Sequence, residues 1–277
     1  MMTPAEANQP VAIFDSGVGG LSVLRVLRNQ LPGEQFLYLA DQAHVPYGAR
    51  PAAEIQRLSE AITHFLLARE AKLVVVACNT ASAASLTHLR ATFPDIPFVG
   101  MEPAVKPAAV RTRSGKVGVM ATAGTFESQR YEQLMARFAR DVVVYEDSCP
   151  GLVEQIEGGV LDGPEAEQRL HRCLAPMLAA GVDVVVLGCT HYPFVAPLLQ
   201  RIAGDEVVVI DPAPAVARQT GRVLADRGWL GPDAGEGSVS AFTTGDAAQF
   251  GRLAQQLLGY PVPVSEINWR DGRLVSA

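Results

Sequence analysis

The chain has 277 residues, longer than one average domain, so length alone gives a prior of two domains. Its 48% hydrophobic and 19% charged residues exclude a disordered composition. A formal net charge of −6 argues against a nucleic-acid surface or an anionic membrane as partner. No apolar stretch approaches the roughly 18 to 20 residues of a membrane span. The polar start MMTPAEANQP reads as a disordered lead-in over residues 1–10 and lacks the basic and apolar regions of a signal peptide. The four cysteines, Cys78, Cys149, Cys173 and Cys189, form no C-x-x-C pair and no dense framework. A reducing cytoplasm is the expected compartment.

Taken in order, Val11–Phe14 is a short apolar strand, and DSGVGG (Asp15 to Gly20) is the turn after it. Leu21, Leu24 and Leu27 have helical spacing, and LPG from Leu31 closes that helix. Phe36–Ala40 is a second strand, leading into the loop DQAHVPYGARP (Asp41 to Pro51). Ile55, Leu58, Ile62, Phe65 and Leu66 share one face of an amphipathic helix over Ala53–Glu70. Leu73–Ala77 is apolar at every position, as expected of a strand covered on both faces, and it runs into ACNTAS and another helix.

A second round starts near Pro97. Val99–Glu102 is a strand end followed by EPAVKPA, and Val117–Ala121 is a strand followed by TAGTFES, in the place DSGVGG holds in the first round. A helix over Gln129–Ala139, a strand over Val142–Tyr145 and a helix over Pro164–Ala180 lead to Val182–Leu187 and GCTHYP. Further on come a helix over Phe194–Ile202, a strand over Glu206–Ile210, and DPAPAVARQT opening a helix. After a glycine-rich loop over 231–238, a strand Val239–Thr243 ends in TTGD, and a helix and a terminal strand near Val264–Ile267 finish the chain. The alternation predicts an α/β protein of two similar doubly wound parallel sheets. Residues 1–99 with 211–277 form the expected first domain, whose sheet the tail completes, and 100–210 the second. In such sheets ligands sit beyond the carboxyl ends of the strands, and every motif above falls at such an end.

Cys78 and Cys189 stand at corresponding strand ends of the repeat, in VVVACNTAS and VVVLGCTHYP. Cys173 belongs instead to a core stripe with Leu170, Leu174 and Met177, and Cys149 reads as a small buried residue. A free thiol has a pKa of about 8.5 and reacts as the thiolate. Two matched thiols suit removal of a proton from one face of a carbon and delivery of one to the other face, which inverts a stereocentre. His191 is a candidate helper for Cys189, and Asp15 for Cys78 if their strands are neighbours. The alternative roles for these two are a satisfied structural histidine and a helix cap. Ser16, Asn79, Thr80, Thr190, Tyr47 and Gly48 are suited to holding a carboxylate or an ammonium. DSGVGG lacks dinucleotide-fingerprint spacing.

DSGVGG, PYG, ACNTAS and GCTHYP, in this order, resemble bacterial glutamate racemase, of the aspartate/glutamate racemase superfamily, over nearly the whole chain from Val11 to Asp246. The resemblance implies two α/β domains related by a pseudo-twofold axis with the active site between them. It implies cofactor-independent interconversion of L- and D-glutamate, supplying D-glutamate for peptidoglycan, by a homodimer. Cys78 and Cys189 would be the acid/base thiols, with Asp15 and His191 assisting and Glu157 as the acidic residue of a CP-x-x-V-x-x-x-E segment. Asp15, Ser16, Tyr47, Gly48, Asn79, Thr80, Thr190 and His191 would contact substrate. The chain departs from the pattern at His44 and Val45, where relatives often carry a basic residue and cysteine, and at Glu154, where they commonly have proline.

A pyridoxal Schiff base needs a lysine. Lys72 and Lys116 precede strands, at the wrong end of the sheet, and Lys106 lies in EPAVKPA, so no cofactor is expected. No local zinc-ligand spacing is present, so no metal is expected either. The rivals are an aspartate racemase, a two-domain amino-acid binding protein that leaves the thiols unused, and a redox or metal protein using Cys78, Cys189 and His191.

Overall fold

The computed structural model describes residues 8–231 and 237–276. Residues 1–7 of the expected lead-in and 232–236 of the expected glycine-rich loop lie outside the described residues. The chain divides into two compact units, Met1–Met101 with Ala213–Ala277, and Glu102–Pro212. Among the described residues no helix is long and apolar enough to cross a membrane.

The first unit is built on β1 (Val11–Asp15), β2 (Phe36–Ala40), β3 (Leu73–Val76) and β4 (Phe98–Gly100). Parallel pairing places β1 between β2 and β3. Helices Leu21–Gln30, Ala52–Leu67 and Asn79–Thr92 make the crossovers. Every residue of β1 and β3 is buried, and apart from Asp15 at the end of β1 both sequences are apolar without alternation. Each buried Val, Leu or Ile is worth about 1.5–3 kcal/mol, so these strands have little freedom to slip.

The second unit holds β5 (Lys116–Met120), β6 (Val143–Asp147), β7 (Val184–Leu187) and β8 (Val208–Ile210), all parallel, in the order β6-β5-β7-β8. This repeats the order β2-β1-β3-β4 of the first unit. Val117, Val119, Val184, Val186 and Ile210 form its core with Tyr131. At Gly188 an added Cβ would lie 2.9 Å from the Met120 carbonyl oxygen and 2.8 Å from the Ala121 Cβ, so the strand end before Cys189 has room only for glycine.

The tail does return to the first sheet. β9 (Val239–Thr243) pairs with β2, and β10 (Val264–Arg270) pairs with β9, both parallel. The chain does not end there, however, and the first sheet is not wholly parallel. Asp271 and Gly272 take left-handed backbone angles (φ 48° and 73°), which form a two-residue hairpin turn. The turn reverses the chain into β11 (Arg273–Ser276), antiparallel to β10. EPAVKPA enters a helix, Val105–Arg111. Pro107 is tolerated there because it lies in the first turn, where a backbone N–H has no helical partner. The helix expected over Phe194–Ile202 splits into a 3₁₀ turn, Tyr192–Phe194, and a helix, Ala196–Ala203.

At the amino ends of these strands a buried ion pair fastens the tail. Lys72 Nζ lies 2.7 Å from Glu34 Oε2 and donates to the Trp229 carbonyl at 2.8 Å, while Glu34 Oε1 accepts from the Gly231 N–H at 2.6 Å. Both side chains are buried. Lys72→Met leaves a buried carboxylate without its counter-charge, a loss of about 3–5 kcal/mol. Urea unfolding should show a lower midpoint at unchanged slope; an unaltered midpoint would contradict the assignment.

Candidate active site

In-register parallel pairing aligns Asp15 with Ala40, Phe14 with Val76, and Ala40 with Thr243. The residues that follow, Ser16, Asp41, Cys78 and Thr244, therefore leave the sheet along one edge. The Ala77 N–H donates to the Phe14 carbonyl at 2.9 Å, so the turn after β1 and the cysteine after β3 are neighbours. Asp15 Oδ1 accepts from the Gly17 N–H at 2.9 Å. Gly20 keeps this turn tight, since a Cβ there would lie 2.7 Å from the Asp15 Cβ and 2.9 Å from the Tyr38 hydroxyl.

Cys78 caps the helix Asn79–Thr92, its Sγ accepting from the Ala81 N–H at 3.4 Å. The N-terminus of such a helix favours negative charge. Asn79, Thr80 and Ser16 are buried beside it. Asn79 Nδ2 lies 3.1 Å from Met101 Sδ, and Asn79 Oδ1, although buried, has no hydrogen-bond partner among the described residues. Tyr47 is buried in the 3₁₀ turn Tyr47–Ala49, which also holds the half-buried Gly48. Its hydroxyl donates to Asp41 Oδ2 at 2.7 Å. Burial first, then Asp41, Cys78 and Asp15, push the Tyr47 pKa well above its ordinary value, so it stays a phenol.

In the second unit, β7 ends at Leu187 and delivers Gly188, Cys189, Thr190 and His191, the last three buried. Cys189 Sγ lies 3.6 Å from His191 Nδ1, and His191 Nε2 lies 2.7 Å from Glu157 Oε1. Glu157 ends the short helix Leu152–Glu157, and Glu154 sits exposed in its first turn. The departure from proline at Glu154 thus leaves the helix and the Glu157–His191 contact in place. Burial disfavours a charged His191 ring, but the bonds to Cys189 and Glu157 outweigh it and raise its pKa well above 6.5.

All four cysteines are free and buried. Among the described residues, Asp147, Cys149 and Cys173 bring donor atoms within 4.8 Å of one another, as a metal ion would need. The Cys149 thiol is hydrogen-bonded to Cys173 and buried, which pushes its pKa up. Cys173 packs on the helix Pro164–Ala179 with Leu170, Leu174 and Met177.

The structure gathers Asp15, Ser16, Tyr47, Cys78, Asn79 and Thr80 in the first unit, and Glu157, Cys189, Thr190 and His191 in the second. Sequence reasoning passes over Asp41, the buried acceptor of the Tyr47 hydroxyl. Its one sequence signal is its place directly after β2, at the sheet edge that carries the other motifs.

Comparison with known proteins identifies the family. Residues 19–220 match the family model described as Asp/Glu/Hydantoin racemase. The chain belongs to this racemase family. It is an isomerase. It is 51% identical to a glutamate racemase of Roseiflexus sp. (strain RS-1), over 91% of this chain and 93% of that protein. Among solved structures, a glutamate racemase isoform of Bacillus anthracis superposes with a TM-score of 0.87 at 32% identity, covering 96% of this chain and 99% of that one. The glutamate racemase of Escherichia coli, in complex with L-glutamate and an activator, gives 0.82 at 36% identity, covering 93% and 97%.

The His191 contacts have a pH signature. A folded pKa raised above 6.5 gives stability that is complete below that value and is lost as pH rises through the folded pKa. In an NMR titration the His191 ring should titrate above 6.5, and Glu157→Gln should lower its midpoint and flatten the alkaline fall in stability. A wild-type ring titrating at or below 6.5 would contradict the pairing.

Proposed function

We propose that the chain is a cofactor-independent glutamate racemase that uses Cys78 and Cys189 as its two acid/base groups on opposite faces of one substrate Cα. The observation that carries this reading is the pair of buried thiols at corresponding strand ends, Cys78 after β3 and Cys189 after β7, in two sheets of the same strand order. One cysteine, as thiolate, takes the Cα proton. The other, as thiol, returns a proton to the opposite face, so the two exchange protonation states with each turnover. Either can begin, which gives reversibility between the L and D forms.

The helpers differ. Asp15 lies at the strand end next to Cys78, while His191, oriented by Glu157, lies beside Cys189. Ser16, Asn79, Thr80, Thr190, Tyr47 and Gly48 are assigned to substrate. Within this set the buried Asn79 Oδ1, without a hydrogen-bond partner among the described residues, suits an ammonium donor. Glutamate as substrate is supported by the relatives at about half identity, all described as glutamate racemases. We assign the product D-glutamate to peptidoglycan synthesis in the cytoplasm, and the active form to a homodimer.

A pyridoxal Schiff base finds no suitable lysine. Lys72 is held by Glu34 and Trp229, Lys116 Nζ donates to the Ala180 carbonyl at 2.6 Å, and Lys106 sits 5.4 Å from the Phe138 ring. Lys72 and Lys116 lie at the amino ends of β3 and β5, and Lys106 is exposed on the helix Val105–Arg111.

Racemisation in deuterated water, with no cofactor added, should place solvent deuterium at Cα of glutamate in both enantiomers. Cys78→Ala and Cys189→Ala should each abolish turnover. Normal racemisation in either variant would sink the two-thiol mechanism. Turnover of aspartate but not glutamate would keep the mechanism and change the substrate.

A further inference from the structure

We infer that Asp41 is a positioning residue for Tyr47, and that the returning C-terminal segment holds Asp41 through Thr244 and Trp269. The inference rests on the reading of Tyr47 as a substrate contact. Asp41 directly follows β2 and is fully buried. Four side chains converge on its carboxylate. The Tyr47 hydroxyl donates to Oδ2 at 2.7 Å, and the Thr244 hydroxyl and Trp269 Nε1 donate to Oδ1 at 2.9 and 2.7 Å. His44 Nδ1 lies 2.9 Å from Oδ2 and 3.1 Å from Oδ1.

A simpler role would be to cap the 3₁₀ turn Gln42–His44 that Asp41 precedes, but its side chain makes no cap hydrogen bond there. A carboxylate without solvent is costly unless donors surround it. Here they come from three separate stretches, the loop 42–47, the TTGD turn and β10. Further bonds tie the same segments together. Thr243 Oγ1 donates to Gln42 Oε1 at 2.8 Å, the Ala43 N–H donates to Thr244 Oγ1 at 2.9 Å, and the Thr244 N–H donates to the Ala40 carbonyl at 3.1 Å. Trp269 also meets the His44 ring edge-on, with centroids 5.2 Å apart. The tail thus supplies two of the three other groups, Thr244 and Trp269 beside His44, that hold the carboxylate on which the Tyr47 hydroxyl sits.

The test is a double-mutant cycle read in KM and kcat for glutamate, with Tm measured alongside. Tyr47→Phe and Asp41→Asn should each raise KM about tenfold or more, as expected for loss of a hydrogen bond to a charged group. The double variant should be no worse than Tyr47→Phe alone, because Asp41 acts through the hydroxyl that phenylalanine lacks. Trp269→Phe and Thr244→Val, which each remove one donor, should raise KM several-fold, and Thr244→Ser should restore it. If Asp41→Asn fails to fold, these peripheral variants carry the test. Effects of Asp41→Asn and Tyr47→Phe that multiply would overturn the inference, as would wild-type KM in both Trp269→Phe and Thr244→Val. An unchanged KM in Tyr47→Phe alone would overturn the reading of Tyr47, and this inference with it.

Discussion

The in-register pairing of buried parallel strands is the constraint on which the candidate site depends. Leu73–Val76 and Val184–Leu187 are buried at every residue, so each is fixed between its neighbours by apolar surface and by backbone bonds on both sides. Because the strands are parallel and start level, their polar sequels emerge together at one edge of each sheet. A one-residue slip would turn every side chain of the strand to the other face and carry the cysteine away from its neighbours. Hydrophobic packing of the strands therefore brings the thiols to their places, where contacts with the Ala81 N–H and His191 complete their surroundings.

The repeated scaffold carries unequal chemistry. Cys78 begins a long helix and takes its Ala81 N–H as a donor, with Asp15 at the adjoining strand end. Cys189 enters only a 3₁₀ turn and relies on side chains instead, a histidine held from behind by a carboxylate. The first unit is also the larger one. Its sheet gains β9, β10 and β11, and with them the donors that enclose Asp41. The extra strands thus do more than extend the sheet: they stand behind the loop that bears Tyr47.

Much of this is legible in the sequence because it is written locally. Wholly apolar runs such as VVVA and VVVL identify the central strands, and the echo of ACNTAS in GCTHYP marks the two cysteines before any fold is known. The Asp41 cluster is not legible in that way. Trp269 and Asp41 meet only after the tail has paired with β9 and β9 with β2, and no short motif records a contact of that range. The contact of Glu157 with His191 is equally non-local, joining a helix end to a strand end. The final hairpin is a different case. Asp271-Gly272 is a strong local turn signal, yet Arg273–Ser276 is too short and too polar at its ends to read as a strand on alternation alone.

The central claim, that each thiol serves one face of the same carbon, is tested most directly by isotope effects in the serine variants. Serine in place of cysteine is a poorer base, so proton abstraction slows in one direction only. With Cα-deuterated L- and D-glutamate, Cys78→Ser should show a large primary isotope effect with one enantiomer and a smaller one with the other. Cys189→Ser should show the reverse. The same enantiomer giving the larger effect in both variants, or equal effects throughout, would contradict two opposed thiols.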